Sequence, residues 1–401
     1  MRVRRESFVV PACSQACPVG IDVARYIRCI KAGRYDEALA VNREKLPLPV
    51  VCASACFAPC EDVCSYRQFG DPIAIRALKR AAVDKGGNLW KSRKKVARKT
   101  GKKVAIVGAG PAGLTVAYYL ASLGHEVLIY DSFPEPGGML RYGIPKYRLP
   151  KKELDRDIKE ILDLGVQFKA STTIGKEVSF DELKRGYNAV FLASGASKSV
   201  KLDIEGSDKS GVLWGWEFLR DVALGKKFAF KGDVTVIGGG NVAIDVALTA
   251  RRLGADKVSL VCLEKEAEMP AHLWEVARAR EEGVTIHNSW APRKIKGNKN
   301  VSGIEFIKCT FVFDKAGKFN PTYDEKVTKT LETRYVILAV GQIADIDFLG
   351  GNGRVKVTGT RITVNDNTLA TGEPGVFAGG DVVSGPSSII GAVAQGRKAA
   401  I

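Results

Sequence analysis

Histidine is almost missing from this chain of 401 residues: His125, His272 and His287 are the three present, and none sits in a recognisable motif. Packing or surface roles suit each, so imidazole acid–base chemistry has no candidate. Long apolar runs are missing too. No stretch reaches 18 consecutive apolar residues, and Met1–Phe8 shows no apolar signal-peptide segment, so membrane insertion is excluded and a cytoplasmic protein is expected. Acidic residues are the scarcer sign, 44 against 61 basic, which leaves a net charge of +17. Such a balance suits nucleic acid or an acidic partner. The densest basic stretch, 91–103, has no aromatic ring after Trp90 on which a base could stack, so nucleic acid is not an expected partner and the stretch reads as a solvated linker.

What is present centres on Lys102–Tyr130. A short apolar strand, Val104–Val107, runs into Gly108, Gly110 and Gly113 as G-x-G-x-x-G, followed by an apolar-periodic helix and a second apolar run. The first glycine permits the tight turn, the second lets backbone approach a pyrophosphate, and the third lets helix and strand pack closely. The helix N-terminus then faces the phosphates. Asp131 closes the second strand 23 residues after Gly108, where a carboxylate can accept from a ribose 2′-OH. A second glycine turn follows in 136–150, where Gly137 and Gly138 let backbone approach another part of the same ligand.

A second fingerprint stands at 233–250. After the strand Val234–Ile237 come Gly238, Gly240 and Ala243 as G-x-G-x-x-A, and the next strand, 257–263, ends at Glu264, 26 residues after Gly238. Two dinucleotide sites in one chain point to a flavin and a nicotinamide exchanging hydride, with the protein setting their orientation. A carboxylate at Glu264 would accept from the ribose 2′-OH of NADH and repel the 2′-phosphate of NADPH, so NADH is favoured; Ala243, Arg251, Arg252 and Lys265 are the features on the side of NADPH. Farther on, a short strand runs into Gly380 and Asp381 and then a helix, again presenting an N-terminus and a carboxylate to a ligand. Its distance from residue 108 implies a split FAD domain with the nicotinamide domain inserted. The chain ends inside a helical pattern at 395–401 with no cap signal, so further helical turns are expected beyond it.

Residues 1–90 hold Cys13, Cys17, Cys52, Cys56, Cys60 and Cys64, six of the nine cysteines, while Cys29, Cys262 and Cys309 stand alone. In a reducing compartment such a set serves metal or redox chemistry rather than disulfides. Zinc sites use paired C-x2-C knuckles. Here every local spacing is C-x3-C, and a proline directly after a cysteine, as at Cys17-Pro18, is a feature of cluster-binding runs, so iron–sulfur is favoured over zinc. Between the groups, 21–46 has helical spacing with Ile27, Ile30, Tyr35, Ala38 and Leu39 on the apolar side. A single helix over 52–64 would hold Cys52 and Cys64 about 18 Å apart, and Pro59 opposes it. The four cysteines are therefore divided between two centres or drawn together by a turn near Ala58-Pro59.

The cysteine-rich helical module, GAGPAG, GGMLRYGIPKYRLPK, GGGNVAID and AGGDVVSGPSSIIGAVAQG, in this order, resemble the small (beta) subunit of glutamate synthase and the matching N-terminal part of dihydropyrimidine dehydrogenase over nearly the whole chain. An α/β architecture is expected: a helical iron–sulfur domain at 1–90, a basic linker at 91–103, and two Rossmann-like domains. The FAD domain comprises 104–224 and 341–401, and the NAD(P) domain, 225–340, is inserted into it. The resemblance implies electron passage from a reduced nicotinamide through FAD to [4Fe-4S] centres, and on to a larger oxidoreductase subunit or a ferredoxin-like carrier in a hetero-oligomer. It carries FAD-binding roles to Gly108, Gly110, Pro111, Ala112, Asp131, Gly138, Leu140, Arg148, Gly380 and Asp381, and nicotinamide nucleotide roles to Gly240, Asn241, Val242 and Ala243. Cys17, Cys56 and Cys60 match ligands of one [4Fe-4S] centre, Cys13 and Cys64 those of a second. The family's C-x2-C pair ahead of Cys13 is absent here, so a second centre needs Cys52 or a partner chain. The basic linker would steer an acidic electron carrier, an attraction that weakens as salt shortens the Debye length. The alternative is a non-catalytic scaffold that holds FAD weakly or fails to react with a nicotinamide. A disulfide reductase of the thioredoxin-reductase type needs a redox C-x-x-C near the flavin, and Cys262 and Cys309 lie outside any such motif.

Overall fold

The computed structural model describes residues 10–93, 96–351 and 353–401. Lys94 and Lys95 of the basic stretch lie outside the described residues. The chain divides into two compact units, one of residues 1–141, 146–196 and 344–401, the other of 142–145 and 197–343.

The first unit opens with short helices: Ala12–Ala16, Val23–Lys31, Tyr35–Arg43, Pro49–Ala55, Pro59–Asp62 and, after a loop, Ile75–Lys85. The helical periodicity over 21–46 is interrupted. Gly33, at φ +71°, lets the chain turn between Val23–Lys31 and Tyr35–Arg43, so that Val23, Tyr26 and Cys29 form the buried side of the first helix while Ile27 and Ile30 are only half-buried. Asp22 caps that helix by accepting from the Arg25 N–H at 3.0 Å. The Tyr26 hydroxyl donates to the Ile75 carbonyl at 3.0 Å, joining the helices Val23–Lys31 and Ile75–Lys85. A turn does occur before Pro59: Ala58 sits in the left-handed region at φ +58°, and Cys56 is extended.

Behind this module lies a five-stranded sheet in the order Val376–Ala378, Ala189–Leu192, Lys103–Val107, Glu126–Tyr130, Gln167–Lys169, with every pairing parallel. Lys103–Val107 is buried along all but its first residue, as a central parallel strand covered on both faces requires. The helix Ile389–Ala400 lies against the helix Pro111–Ser122 so closely that a Cβ on Gly396 would stand 2.5 Å from the Ala112 carbonyl oxygen. One buried ion pair ties the cysteine module to this fold. Asp157, on the helix Lys151–Leu162 and 0% exposed, accepts from Arg43 Nη2 and from the Val51 N–H, both at 3.0 Å. Removing one partner of such a pair costs about 3–5 kcal/mol.

The second unit repeats the arrangement. Its parallel sheet runs Val212–Trp214, Tyr335–Leu338, Val234–Ile237, Val258–Val261, Val284–His287, again with the strand that precedes the glycine loop at the centre. The strand Val212–Trp214 and the helix Gly215–Ala223 belong to this unit, so the stretch 197–224 lies with the second sheet rather than the first. A three-stranded antiparallel sheet, Trp290–Lys296, Gly303–Phe313 and Phe319–Glu332, is inserted between its last two parallel strands. Among the described residues no helix is long and apolar enough to cross a membrane.

Candidate functional site

In the first unit the strand Lys103–Val107 delivers the chain to Gly108, whose N–H donates to the Tyr130 carbonyl at 2.8 Å. The three glycines of the loop have different reasons to be there. Gly108, at φ +104°, would place a Cβ 2.3 Å from the Ala193 carbonyl oxygen, and Gly113 would place one 2.0 Å from the Gly108 carbonyl oxygen. Both are required by the fold itself. Gly110 is not: its φ of −76° suits any residue, and a Cβ there meets nothing within 4 Å. It is the N-cap of the helix Pro111–Ser122, so the space in front of it faces a helix N-terminus, where anions are favoured. Pro111 and Ala112 form the first turn of that helix.

Asp131 braces this loop. Its Oδ2 accepts from the Ala109 N–H at 2.6 Å and its Oδ1 from the Phe133 N–H at 2.9 Å. Burial raises its pKa, and the two N–H groups oppose the shift. The second glycine turn packs on the first, since a Cβ on Gly138 would lie 2.8 Å from Gly110 Cα. Leu140 is buried and Arg148 half-buried beyond it. From the far end of the sequence, Gly380 reaches the same helix: its Cβ would stand 3.0 Å from Ala112 Cβ. Its N–H donates to Gln395 Oε1 at 2.6 Å, a brace that sequence reasoning missed. Asp381 follows at the start of the helix Asp381–Ser384, and burial pushes its carboxyl up to about 6 against an N–H from Ser387.

The loop of the second unit is built alike. Gly238 at φ +139° would place a Cβ 2.4 Å from the Ala339 carbonyl oxygen and 3.2 Å from Ala243 Cβ. Gly240, at φ −92° and N-cap of the helix Asn241–Arg252, is again unconstrained, with Pro270 Cγ the nearest atom at 4.0 Å. Glu264 points back at this loop, its Oε2 2.5 Å from where a Gly239 Cβ would be. Val242 is half-buried and Ala243 fully buried. Asn241 has a structural partner: its Oδ1 accepts from the His272 N–H at 2.9 Å. The segment Pro270–His272 therefore borders the loop, which no sequence signal announced. Arg251 donates to the Ala255 carbonyl at 3.0 Å and Arg252 holds Glu282 through two bonds, so both have partners within the protein.

The six cysteines of the N-terminal module come together in part. Cys17, Cys52, Cys56 and Cys60 are buried and all four interact electrostatically with Lys79, while Cys13, partly exposed, interacts in the same way with Cys64. The hydrogen bond from Cys52, together with Lys79 and the Ala58 N–H at 3.4 Å, lowers the Cys56 pKa against the effect of burial. The same hydrogen bond raises Cys52, and burial pushes Cys60 up to about 12; four buried cysteine sulfurs on neighbouring segments are nonetheless the donor type that an iron–sulfur centre uses. Among the described residues no group of three or more His, Cys, Asp or Glu is gathered as a single-ion site. A four-iron cluster gives each cysteine its own iron and so seats its ligands farther apart than one ion does. Cys29, Cys262 and Cys309 are buried outside this group.

Two Rossmann-like folds with open glycine loops, following a cysteine-rich helical module, define the class as a two-dinucleotide fold joined to a candidate metal module. Comparison with known proteins agrees. The family described as pyridine nucleotide-disulphide oxidoreductase matches residues 102–396, and the domain described as dihydropyrimidine dehydrogenase domain II, 4Fe-4S cluster, matches residues 7–89. The chain is 41% identical to the NADP(+)-dependent formate dehydrogenase subunit beta of Moorella thermoacetica, over 98% of this chain and 59% of that protein. It is 32% identical to the glutamate synthase [NADPH] small chain of Escherichia coli, over 97% and 87%. With the NAD-dependent dihydropyrimidine dehydrogenase subunit PreT of Salmonella typhimurium it shares 34% over 97% and 89%. Among solved structures, Mycobacterium tuberculosis FprA in complex with NADPH superposes with a TM-score of 0.63 at 19% identity, over 74% of this chain and 83% of that one, a likeness of fold. The chain belongs to the pyridine nucleotide-disulphide oxidoreductase family, in the group of the glutamate synthase small chain, with FAD, NAD(P) and [4Fe-4S] as its cofactors. It spans about three fifths of the length of the first curated relatives it matches, 59% and 63%.

Proposed function

We propose that this chain is an electron-transfer subunit that draws on NADH and passes electrons to a larger oxidoreductase subunit or a ferredoxin-like carrier. The observation that carries the reading is the pair Gly110 and Gly240, each a glycine that the protein's own packing does not require, each opening on a helix N-terminus. Such a position is explained by a ligand whose phosphates come as close as a methyl group would.

When bound, the nicotinamide and FAD supply hydride exchange, and the iron–sulfur centres supply one-electron steps. The protein's part is positioning. Gly108, Gly110, Pro111, Ala112 and Gly113 would hold one pyrophosphate, with Asp131, Gly138, Leu140, Arg148, Gly380 and Asp381 completing the FAD site in the first unit. Gly238, Gly240, Asn241, Val242 and Ala243 would hold the other in the second unit. Glu264 would read the ribose 2′-OH; Arg251 and Arg252 are held by protein partners and Lys265 Nζ stands 3.7 Å from Glu268, so a 2′-phosphate would meet the Glu264 carboxylate first. Cys17, Cys52, Cys56 and Cys60 would bind one centre, and Cys13 and Cys64 would contribute to another at residues 1–90. A cytoplasmic location fits this reading, since cysteine ligands of such centres persist in a reducing compartment.

An anaerobic titration of the holoprotein with NADH, and separately with NADPH, tests this by following flavin bleaching and iron–sulfur absorbance together. Reduction of both chromophores by NADH at low excess is expected. Reduction by NADPH alone would overturn the specificity, and an unreacted flavin with either would favour a non-catalytic scaffold.

A further inference from the structure

The strand Gly303–Phe313 outruns one of its neighbours. Its last pair with Trp290–Lys296 is Lys308 against Trp290, and over 309–313 it is paired only with Phe319–Glu332. What extends is a two-stranded ribbon, a form with little stability of its own. It carries four exposed rings, Phe311, Phe313, Phe319 and Tyr323. Phe313 and Phe319 meet edge to face at 6.3 Å near the turn. Phe311, 63% exposed, is the most exposed of the four.

The ribbon stands beside the residues that follow the second glycine-loop fold's central strands. The Glu264 carbonyl accepts from the Ser289 N–H at 3.1 Å, and the Ser289 carbonyl accepts from the Cys309 N–H at 3.0 Å, so three backbones lie side by side. Neighbouring strands run about 4.8 Å apart, which puts the ribbon about 10 Å from Glu264. Lys265, the residue after Glu264, crosses that gap with a single side chain: its ammonium lies 5.6 Å from the centre of the Phe311 ring. The Cys309 thiol donates to the Phe311 carbonyl at 3.5 Å and fixes the ribbon backbone there. A flat, water-exposed ring therefore stands one side chain away from the carboxylate that would read the ribose.

In a nicotinamide dinucleotide that ribose carries adenine. A purine has two π-faces, and stacking on an aromatic side chain needs no hydrogen-bond partner. We propose that Phe311 is a binding residue on which the adenine ring of the dinucleotide stacks, and that the ribbon 309–323 walls the adenosine half of the site. The inference rests on the reading of 238–243 and Glu264 as the nicotinamide nucleotide site. NADH and NADPH share the adenine, so it holds for either.

The test uses the flavin-loaded protein and ADP-ribose, which has the adenosine half without the nicotinamide, with binding read by calorimetry. Wild-type protein that bound no ADP-ribose would defeat the nucleotide-site reading itself and is recognised before any variant is compared. Exposed as it is, Phe311 can be truncated without opening a cavity. Phe311→Ala should weaken ADP-ribose at least about tenfold, or 1.4 kcal/mol, while Phe311→Tyr, which keeps the ring, should bind as wild type does. Phe313→Ala, an equal truncation farther along the ribbon, should leave the affinity unchanged. Unchanged affinity in Phe311→Ala, or an equal loss in Phe311→Ala and either of the other variants, would overturn the proposal.

Discussion

Replacing Gly110 by alanine should separate ligand binding from folding. The backbone at φ −76° accepts alanine, and the new methyl meets no protein atom within 4 Å. At a helix N-cap the exchange costs a few tenths to about 1 kcal/mol, which in a chain of this size lowers the melting temperature by about 3 °C at most. The methyl nevertheless fills the space in which a pyrophosphate would meet the loop. Loss of two hydrogen bonds to charged phosphate oxygens, about 1.5–3 kcal/mol each, weakens FAD binding by roughly a hundred- to ten-thousandfold at about 1.4 kcal/mol per factor of ten. Gly113→Ala is the contrasting case. Its Cβ would stand 2.0 Å from the Gly108 carbonyl oxygen, so the turn must shift and stability should fall by about 1–3 kcal/mol. The assay pairs the flavin-to-protein ratio of purified protein with the thermal melt of the flavin-free form. A Gly110→Ala protein that retained FAD with wild-type affinity would refute the reasoning, because the open space would then not be the phosphate site. Gly240→Ala should act in the same way on the nicotinamide nucleotide while leaving FAD bound.

Three further outcomes are expected. Cys56→Ser should lower bound iron and leave the FAD content as it was; unchanged iron would remove Cys56 from the ligand set. Glu264→Arg should shift the ratio of kcat/KM for NADPH over NADH upward by at least about tenfold, or 1.4 kcal/mol, and an unmoved ratio would mean that the carboxylate does not read the ribose. Asp381 titrates in the folded protein at about 6 against an ordinary 3.8. Between those values the folded state holds a proton that the unfolded state has released, so the stability of the flavin-free protein should decline as pH rises from about 4 to about 6, by up to about 3 kcal/mol. Asp381→Asn should flatten that part of the profile, and identical urea midpoints against pH for the two proteins would contradict the assignment.

The two glycine loops were legible in the sequence because everything that makes them is local: strand, turn and helix follow one another within about thirty residues, and each glycine sits at a fixed step. Membership of the parallel sheets was harder to read. The strand Val212–Trp214 pairs with Tyr335–Leu338, more than a hundred residues away, and nothing in its own three residues shows which sheet it joins. Over 21–46 the apolar period continued through Ala32–Arg34, whereas Gly33 turned the chain, and the buried stripe moved from Ile27 and Ile30 to Tyr26 and Cys29. The cysteines were conspicuous from their spacing alone. Their grouping was not, because Cys17 and Cys52–Cys60 lie on separate segments that only the packing of the short helices brings together. Lys79 left one trace in the sequence, a charged residue where the helical period calls for an apolar one.

The parallel sheet of the first unit is completed by the strand Val376–Ala378, and its glycine-loop helix is covered by Ile389–Ala400, whereas the second unit occupies one nearly unbroken stretch, 197–343. During synthesis the nicotinamide fold therefore has all its strands while the flavin fold still lacks an edge strand and a covering helix. A complete FAD site thus has to wait for residues 376–400. A chain stalled shortly after residue 343 would present a finished inner fold and an unfinished, apolar flavin sheet, and it is at this interval that the newborn protein depends most on being shielded from its neighbours.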